Sequence, residues 1–268
     1  MKYAEFFRKH PVFTIVELDS HLFEKGTVGS RARESLLSYH RKKGHVVLIR
    51  RGLYAVIPPG AVSKLYPVDP FLIATKVTGG AVLSYHSALE MHGYAYSVRE
   101  HITYSASCPV STFSFRSHVF RGVKFPKALN GTGRTDFGVS DIDRQGLDVP
   151  VTNLERTFVD MMDRPALSGG WEEIWRSLES VEFFDLDSVV EYALLLNNAT
   201  TIAKVGFFLD QHRELFMVEP THLNALREHC PKQPHYLDAS SRRSGKLAAD
   251  WNLVLPVELF ERSWAEVL

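Results

Sequence analysis

The sequence predicts an α+β protein in which an N-terminal winged helix-turn-helix precedes a larger mixed α+β domain with a helical C-terminal end. Three observations predict it. Residues 1–60 run helix, helix, turn, helix and two-stranded hairpin, the element order of a winged helix-turn-helix. Residues 102–125 hold β-branched and aromatic runs broken by turn signals. From residue 153 onward, helix-length apolar patterns take over. Pro58-Pro59-Gly60 punctuates the chain and divides it into residues 1–60 and 61–268.

In the first part, Tyr3–Lys9 reads as a short helix ended by Pro11. Thr14 with Glu17 three residues later predicts a capping box opening a second helix, Ile15–Glu24, with Val16, Leu18, Leu22 and Phe23 as its apolar contacts. Gly26-Thr27-Val28-Gly29 reads as a tight turn. Ser30 is then expected to cap a third helix, Arg31–Lys43, stopped by Gly44. Val46–Ile49 and Leu53–Ile57 read as strands joined at Arg51-Gly52, which makes the hairpin the wing.

At about 100° per residue, the third helix gathers Ala32, Leu36 and Tyr39 on one side, with His40 and Lys43 beside them. The opposite side carries Arg31, Glu34, Ser35, Ser38, Arg41 and Lys42. A recognition helix needs this division: one face fixes it to the domain, and the other enters the major groove. Ser30 lies at the end where free N–H groups attract phosphate. Arg31, Glu34, Ser35 and Ser38 are candidate base readers, since an arginine fork matches the two acceptors of guanine. Arg41 and Lys42, with Arg50 and Arg51 at the wing tip, are candidate phosphate contacts. Arg33, on the flank, suits either role.

Charge sharpens the contrast between the two parts. The chain has 31 Lys+Arg and 31 Asp+Glu, a formal net charge of zero. Residues 1–60 nevertheless carry eleven basic and five acidic residues, a net of +6, balanced by −6 in the remainder. A basic module joined to an acidic one suggests two jobs, the first of them polyanion binding. With 45% hydrophobic residues, the chain falls outside the disordered class. The two cysteines, Cys108 and Cys230, cannot build a disulfide framework. No secretory signal or membrane-length apolar run is seen, so a cytoplasmic protein without membrane contact is expected.

In residues 61–268, helices are expected over 69–78 and 84–92. Strands are expected over Ile102–Ala106, Thr112–Phe115 and Val119–Phe125, and a loop at Gly131-Thr132-Gly133. A helix capped by Asn153 or Thr152 should run through Met162. Further helices fit Trp171–Ser180, Leu186–Leu196, Thr201–Arg213 and His222–His229. Catalytic chemistry is weakly encoded. His86 and His92 are six apart, which is no helical ligand spacing; His229 beside Cys230, with His235 nearby, is the exception that could hold a metal, and it reads better as a satisfied surface or core cluster. Gly131–Gly133 lacks the Gly-Lys-Ser/Thr of a phosphate cradle, and Gly169-Gly170 reads as a turn with close backbone packing. Ser84 and Ser87 flank His86 without a nucleophile elbow. Glu155 and Asp160 could do acid–base or metal work, with Asp141 and Asp143 the nearest further acids. Arg156 and Asp160 at i,i+4 read better as an ion-paired helix. No metal, cofactor or catalytic residue is therefore expected.

Arg51-Gly52-Leu53-Tyr54-Ala55, directly after a helix-turn-helix, resembles the N-terminal module of the abortive-infection antitoxin family (AbiEi). The likeness continues through Asp69-Pro70-Phe71, Ser84-Tyr85-His86-Ser87-Ala88-Leu89 and Val151–Asp160, then Asp163-Arg164-Pro165 and Trp251-Asn252-Leu253. The resemblance implies a transcriptional repressor and antitoxin of a bacterial type IV toxin–antitoxin pair. Residues 1–60 would bind inverted repeats in the operon's own promoter, and residues 61–268 would neutralise a cognate nucleotidyltransferase-like toxin, directly or functionally. It transfers no catalytic role. Two other classes stay open on the residues themselves: a nuclease steered by a DNA-binding module, and a regulator whose larger domain senses a small molecule.

Overall fold

The computed structural model describes residues 3–26, 29–109, 111–237 and 245–261. Its N-terminal unit runs α1 (Ala4–Lys9), β1 (Val12–Thr14), α2 (Ile15–Glu24), α3 (Ser30–Lys42), β2 (Val46–Arg50) and β3 (Leu53–Val56). The strands form one sheet in the order β1-β3-β2, antiparallel throughout. This is winged-helix topology, with a third strand in place of the expected two-stranded hairpin. β1 was hidden because it is three residues long and ends on Thr14, which also caps α2.

Period-2 alternation sends each strand's side chains to two different cores. Phe13, Val46 and Tyr54 face the helices, packing with Phe6, Phe7, Leu18, Leu22 and Leu37. Val12, Leu53 and Ala55 face away, into the core of the central domain. A bulge between Leu48 and Arg50 turns Ile49 into that second core as well. The N-terminal sheet is thus shared between the helix-turn-helix and the body.

The central domain is a six-stranded mixed sheet in the order β6-β7-β5-β4-β9-β8. Its strands are β4 (Val82–Leu83), β5 (His101–Ala106), β6 (Phe113–Phe115), β7 (His118–Lys124), β8 (Val139–Asp143) and β9 (Asp148–Thr152). β5 pairs parallel with β7, and β4 parallel with β9; the other neighbours are antiparallel. α4 (Pro70–Lys76) packs on the sheet, its start fixed by the Asp69 carboxylate accepting from Phe71 N and Leu72 N. α5 (His86–His92) and α7 (Leu154–Asp163) lie together at the same sheet. β8 and β9 escaped the sequence analysis because Pro150 breaks the strand pattern. Proline is tolerated there because β4 contributes to β9 only the Leu83–Val151 pair. The expected loop at Gly131–Gly133 is a correction: residues 127–132 form α6, and only Gly133, at φ +69°, leaves it.

The C-terminal region holds α8 (Trp171–Glu179), α9 (Leu186–Leu196), α10 (Ala199–Gln211) and α11 (Pro220–Arg227). A small sheet, β10 (His235–Tyr236), β11 (Gly245–Ala248) and β12 (Leu253–Pro256), closes one side. Trp175, Phe208 and Trp251 are sealed in its core. Gly206 in α10 is required by packing: a Cβ there would lie 2.0 Å from the Trp251 ring. Among the described residues, no helix is long and apolar enough to cross a membrane.

Candidate nucleic-acid interface

The geometry of the helix-turn-helix follows from its two helix ends. At the start of α2, Thr14 Oγ1 accepts from Glu17 N at 3.2 Å, and Glu17 Oε2 accepts from Thr14 N at 2.8 Å. This is the capping box that the sequence predicted. At the end of α3, Gly44 takes φ +73°, Gly44 N donates to Arg41 O, and His45 N donates to His40 O. That pair of bonds is a Schellman stop, which aims the chain directly into β2. The predicted turn before α3 lies partly outside the described residues, at Thr27 and Val28.

Ser30 does not cap α3. Gly29, at φ +127°, holds the cap position and Ser30 is the first helical residue, so among the described residues the cap position supplies no side-chain acceptor to the first turn. The uncapped N–H groups and the aligned peptide dipoles leave this end attractive to an anion.

The buried face of α3 is also rotated from the one expected. Leu37 and His40 are buried, while Tyr39 is 56% exposed and Lys43 is exposed. The aromatic cluster of the head decides this: His40 packs edge-on against Phe7 at 4.9 Å and against Tyr3 at 6.4 Å between ring centroids. Burial, and then the neighbouring His45 imidazole at 3.3 Å, holds the His40 pKa below its ordinary value.

Ser30, Arg31, Glu34, Ser35, Ser38, Arg41 and Lys42 are all exposed on α3. Arg33 is placed differently: its Nη1 donates to Asp19 Oδ2 at 2.5 Å, tying α3 to α2. Arg51 is exposed at the turn of the hairpin. Arg50 is half-buried, with its guanidinium 5.0 Å from the Phe113 ring centroid, so it leans on the central domain instead of standing at the tip. Between α3 and β2 runs an open groove of about 810 Å³, lined among others by Glu34, Ser38, Arg41, Lys42, Leu48 and Ser63. Leu48 and Ser63 were not anticipated. Ser63 follows the Pro-Pro-Gly boundary, and nothing in its local pattern signals that it returns to the helix.

Other residues singled out in the sequence are engaged within the fold. Arg156 and Asp160 form a buried ion pair at 3.4 Å, and Tyr192 Oη donates to the same carboxylate at 2.7 Å. Burial raises the Asp160 pKa against the pull of Arg156. Glu155 accepts from Asp185 N at 3.1 Å. Ser84 pairs with Ser105, and Ser87 accepts from Thr103 N. His235 bonds Thr200, and His229 bonds Ala225 O; among the described residues, no three His, Cys, Asp or Glu side chains gather as a metal site. A Cβ on Gly169 would meet the Arg99 side chain, at 2.1 Å from Nη1, whereas one on Gly170 would meet nothing within 4 Å, so the close backbone packing expected of Gly169-Gly170 is a side-chain contact at Gly169 alone.

No protein-family model matches the chain, and no curated protein matches it. Among solved structures, the chain is similar to the RV2827C protein from Mycobacterium tuberculosis, with a TM-score of 0.64 and 20% sequence identity. The match covers 98% of this chain and 93% of that one, so the likeness in fold extends over nearly the full length of both.

Proposed function

We propose that the chain is a sequence-specific DNA-binding transcriptional repressor that also serves as the antitoxin of a type IV toxin–antitoxin pair. One observation carries the DNA-binding reading: the solvent face of α3 presents Arg31, Glu34, Ser35, Ser38, Arg41 and Lys42 beside a hairpin groove, with the uncapped helix start at one end. In this reading α3 enters the major groove. Arg31 and its neighbours choose the site, while Arg41, Lys42 and Arg51 hold phosphates. Arg33 serves the domain by orienting α3 on α2. Repression follows from steric occupancy of the promoter, with two copies seated on an inverted repeat.

The antitoxin role rests on the resemblance to the AbiEi family, in which residues 61–268 would antagonise a nucleotidyltransferase-like toxin. Site selection from randomised duplexes tests the first half. Enrichment of one motif, repeated in inverted orientation, supports the reading; recovery of unenriched sequence contradicts it. Co-expression with a nucleotidyltransferase encoded beside the gene tests the second half, and growth arrest despite expressed antitoxin contradicts it.

A second reading, a ligand-responsive regulator, is favoured by one feature. A cavity of about 490 Å³ lies between Pro11, Val12 and Val56 of the head and Leu72, Ile73 and Phe115 of the body. A ligand-dependent rise in melting temperature would support it.

A further inference from the structure

The segment between the head and the body is pinned at both ends. Arg116, at the β6–β7 turn, donates from Nη2 to Ser63 O at 2.7 Å. At the far end Arg144, at the β8–β9 turn, donates from Nε to Asp69 Oδ2 at 2.6 Å. These hairpins occupy opposite edges of the central sheet, so residues 63–69 cross from one edge toward the other. The cavity of about 490 Å³ follows the segment. Its lining takes in every residue from Lys64 to Pro70, with Arg116 at one end and Gln145 at the other. It is therefore an elongated trench, of a size that small-molecule sites have.

The chemistry changes along its length. Val12 and Val56 of the head and Leu72 and Ile73 of α4 make an apolar wall. Pro11, Pro67 and Pro70 also line it and carry no N–H, so the backbone offers no donor at those positions. Cations gather at the β6–β7 end, where Lys64 and Arg116 are both exposed. The Arg116 guanidinium is oriented by Ser63 O and by the Phe115 ring, whose centroid lies 5.1 Å away, and its remaining N–H groups form the planar fork that matches a carboxylate. Arg116 and Gln145 sit at their hairpin tips with left-handed backbones, φ +56° and +59°, where asparagine or glycine is the usual choice. Asp69 is the one acid among the described lining residues, and it is already committed to Arg144 and to the start of α4. No lining carboxylate is left to answer the positive end.

We propose that this trench binds a small amphipathic carboxylate: a straight acyl chain lies along Val12, Val56, Leu72 and Ile73, and its carboxylate rests on Lys64 and Arg116. The walls come from the head, the linking segment and the body. A ligand there binds only their assembled arrangement and holds the helix-turn-helix against the central domain. The inference rests on the ligand-responsive reading above and deepens it by naming the ligand class.

The test uses the full chain and titrates octanoate, octylamine and octanol by calorimetry at one ionic strength. Octanoate is expected to bind the wild-type chain about tenfold or more tighter than the other two, the difference one charge-assisted contact makes. Lys64→Glu alone, at an exposed position, should weaken octanoate by about tenfold. Lys64→Glu with Arg116→Glu should reverse the order and favour octylamine. A wild-type chain that takes octanol or octylamine as tightly as octanoate overturns the carboxylate assignment and leaves the ligand-responsive reading standing. A double variant that keeps the octanoate preference does the same. Uptake of none of the three by the wild-type chain overturns both.

Discussion

Lys76 of α4 donates to Glu17, the same carboxylate that closes the capping box at the start of α2. One side chain therefore fixes the helix-turn-helix internally and also ties it to the central domain. The Lys76 cation and the Thr14 hydrogen bonds draw the Glu17 pKa below its ordinary value, against the upward push of partial burial.

The two duties of Glu17 can be separated. Glu17→Ala removes both and should cost about 1–2 kcal/mol, the usual range for a lost helix cap. Glu17→Gln keeps a side chain able to close the box and loses only the half-exposed ion pair, worth about 0–1 kcal/mol. Lys76→Ala should match Glu17→Gln. Urea denaturation measures all three, and equal losses for Glu17→Ala and Glu17→Gln would contradict this division.

Gly206→Ala should destabilise, reversing the ordinary effect of such a change in a helix. Alanine normally gains up to about 1 kcal/mol over glycine there. At this position the added methyl meets the Trp251 ring, which is pinned by its Nε1 donating to Asp210 at 2.9 Å and by Arg227 lying 4.9 Å from the ring centroid. A net loss of about 1–3 kcal/mol is expected from overpacking. A variant with a raised melting temperature would show that the close approach is wrong.

Stability should fall as the medium is acidified from about pH 7 to about pH 5. Burial lowers the pKa of His40 and His86, the latter against the opposing pull of Glu173. The folded chain thus binds fewer protons than the unfolded chain, whose histidines titrate near 6.5. The contribution is complete above that value and is lost as pH drops below it. Glu17 and Glu173, both lowered, begin to lose theirs only at more acidic pH; His10, also lowered by burial, adds to the histidine effect, and Glu90 and Asp160, both raised by burial, offset part of it. The urea midpoint checks it; a midpoint that rises on acidification contradicts the assignment.

Arg156→Met should cost about 3–5 kcal/mol, because it strands the buried Asp160 carboxylate. The same burial bears on the nuclease alternative. Asp160 is sealed beneath Arg156 and Tyr192, and Glu155 is committed to the start of α9. Glu155→Gln with Asp160→Asn should therefore alter stability and leave any DNA binding in place. Metal-dependent cleavage by the wild-type chain that these changes abolish would contradict a structural role.

What the sequence disclosed was set by local chemistry. Thr14 with Glu17 and the glycine after α3 are signals confined to a few residues, and the structure has both the box and the stop. The register of α3 was misjudged because the helix faces a cluster that includes Phe7 and Tyr3, some thirty residues earlier. Arg33 looked like a free cation because its partner, Asp19, sits on the preceding helix. Arg50 looked like a wing tip because Phe113, sixty-three positions on, leaves no trace in the hairpin's pattern. Long-range pairings of this sort are properties of the assembled fold.

The most direct measurement of the central claim is anisotropy of the wild-type chain and Arg31→Ala on a selected duplex and on its scrambled counterpart. Wild type should prefer the selected duplex. Arg31→Ala should lose most of that preference, by about 1–3 kcal/mol, with little change on the scrambled duplex. Equal loss on both duplexes, or no preference in the wild type, would contradict a base-reading role for α3.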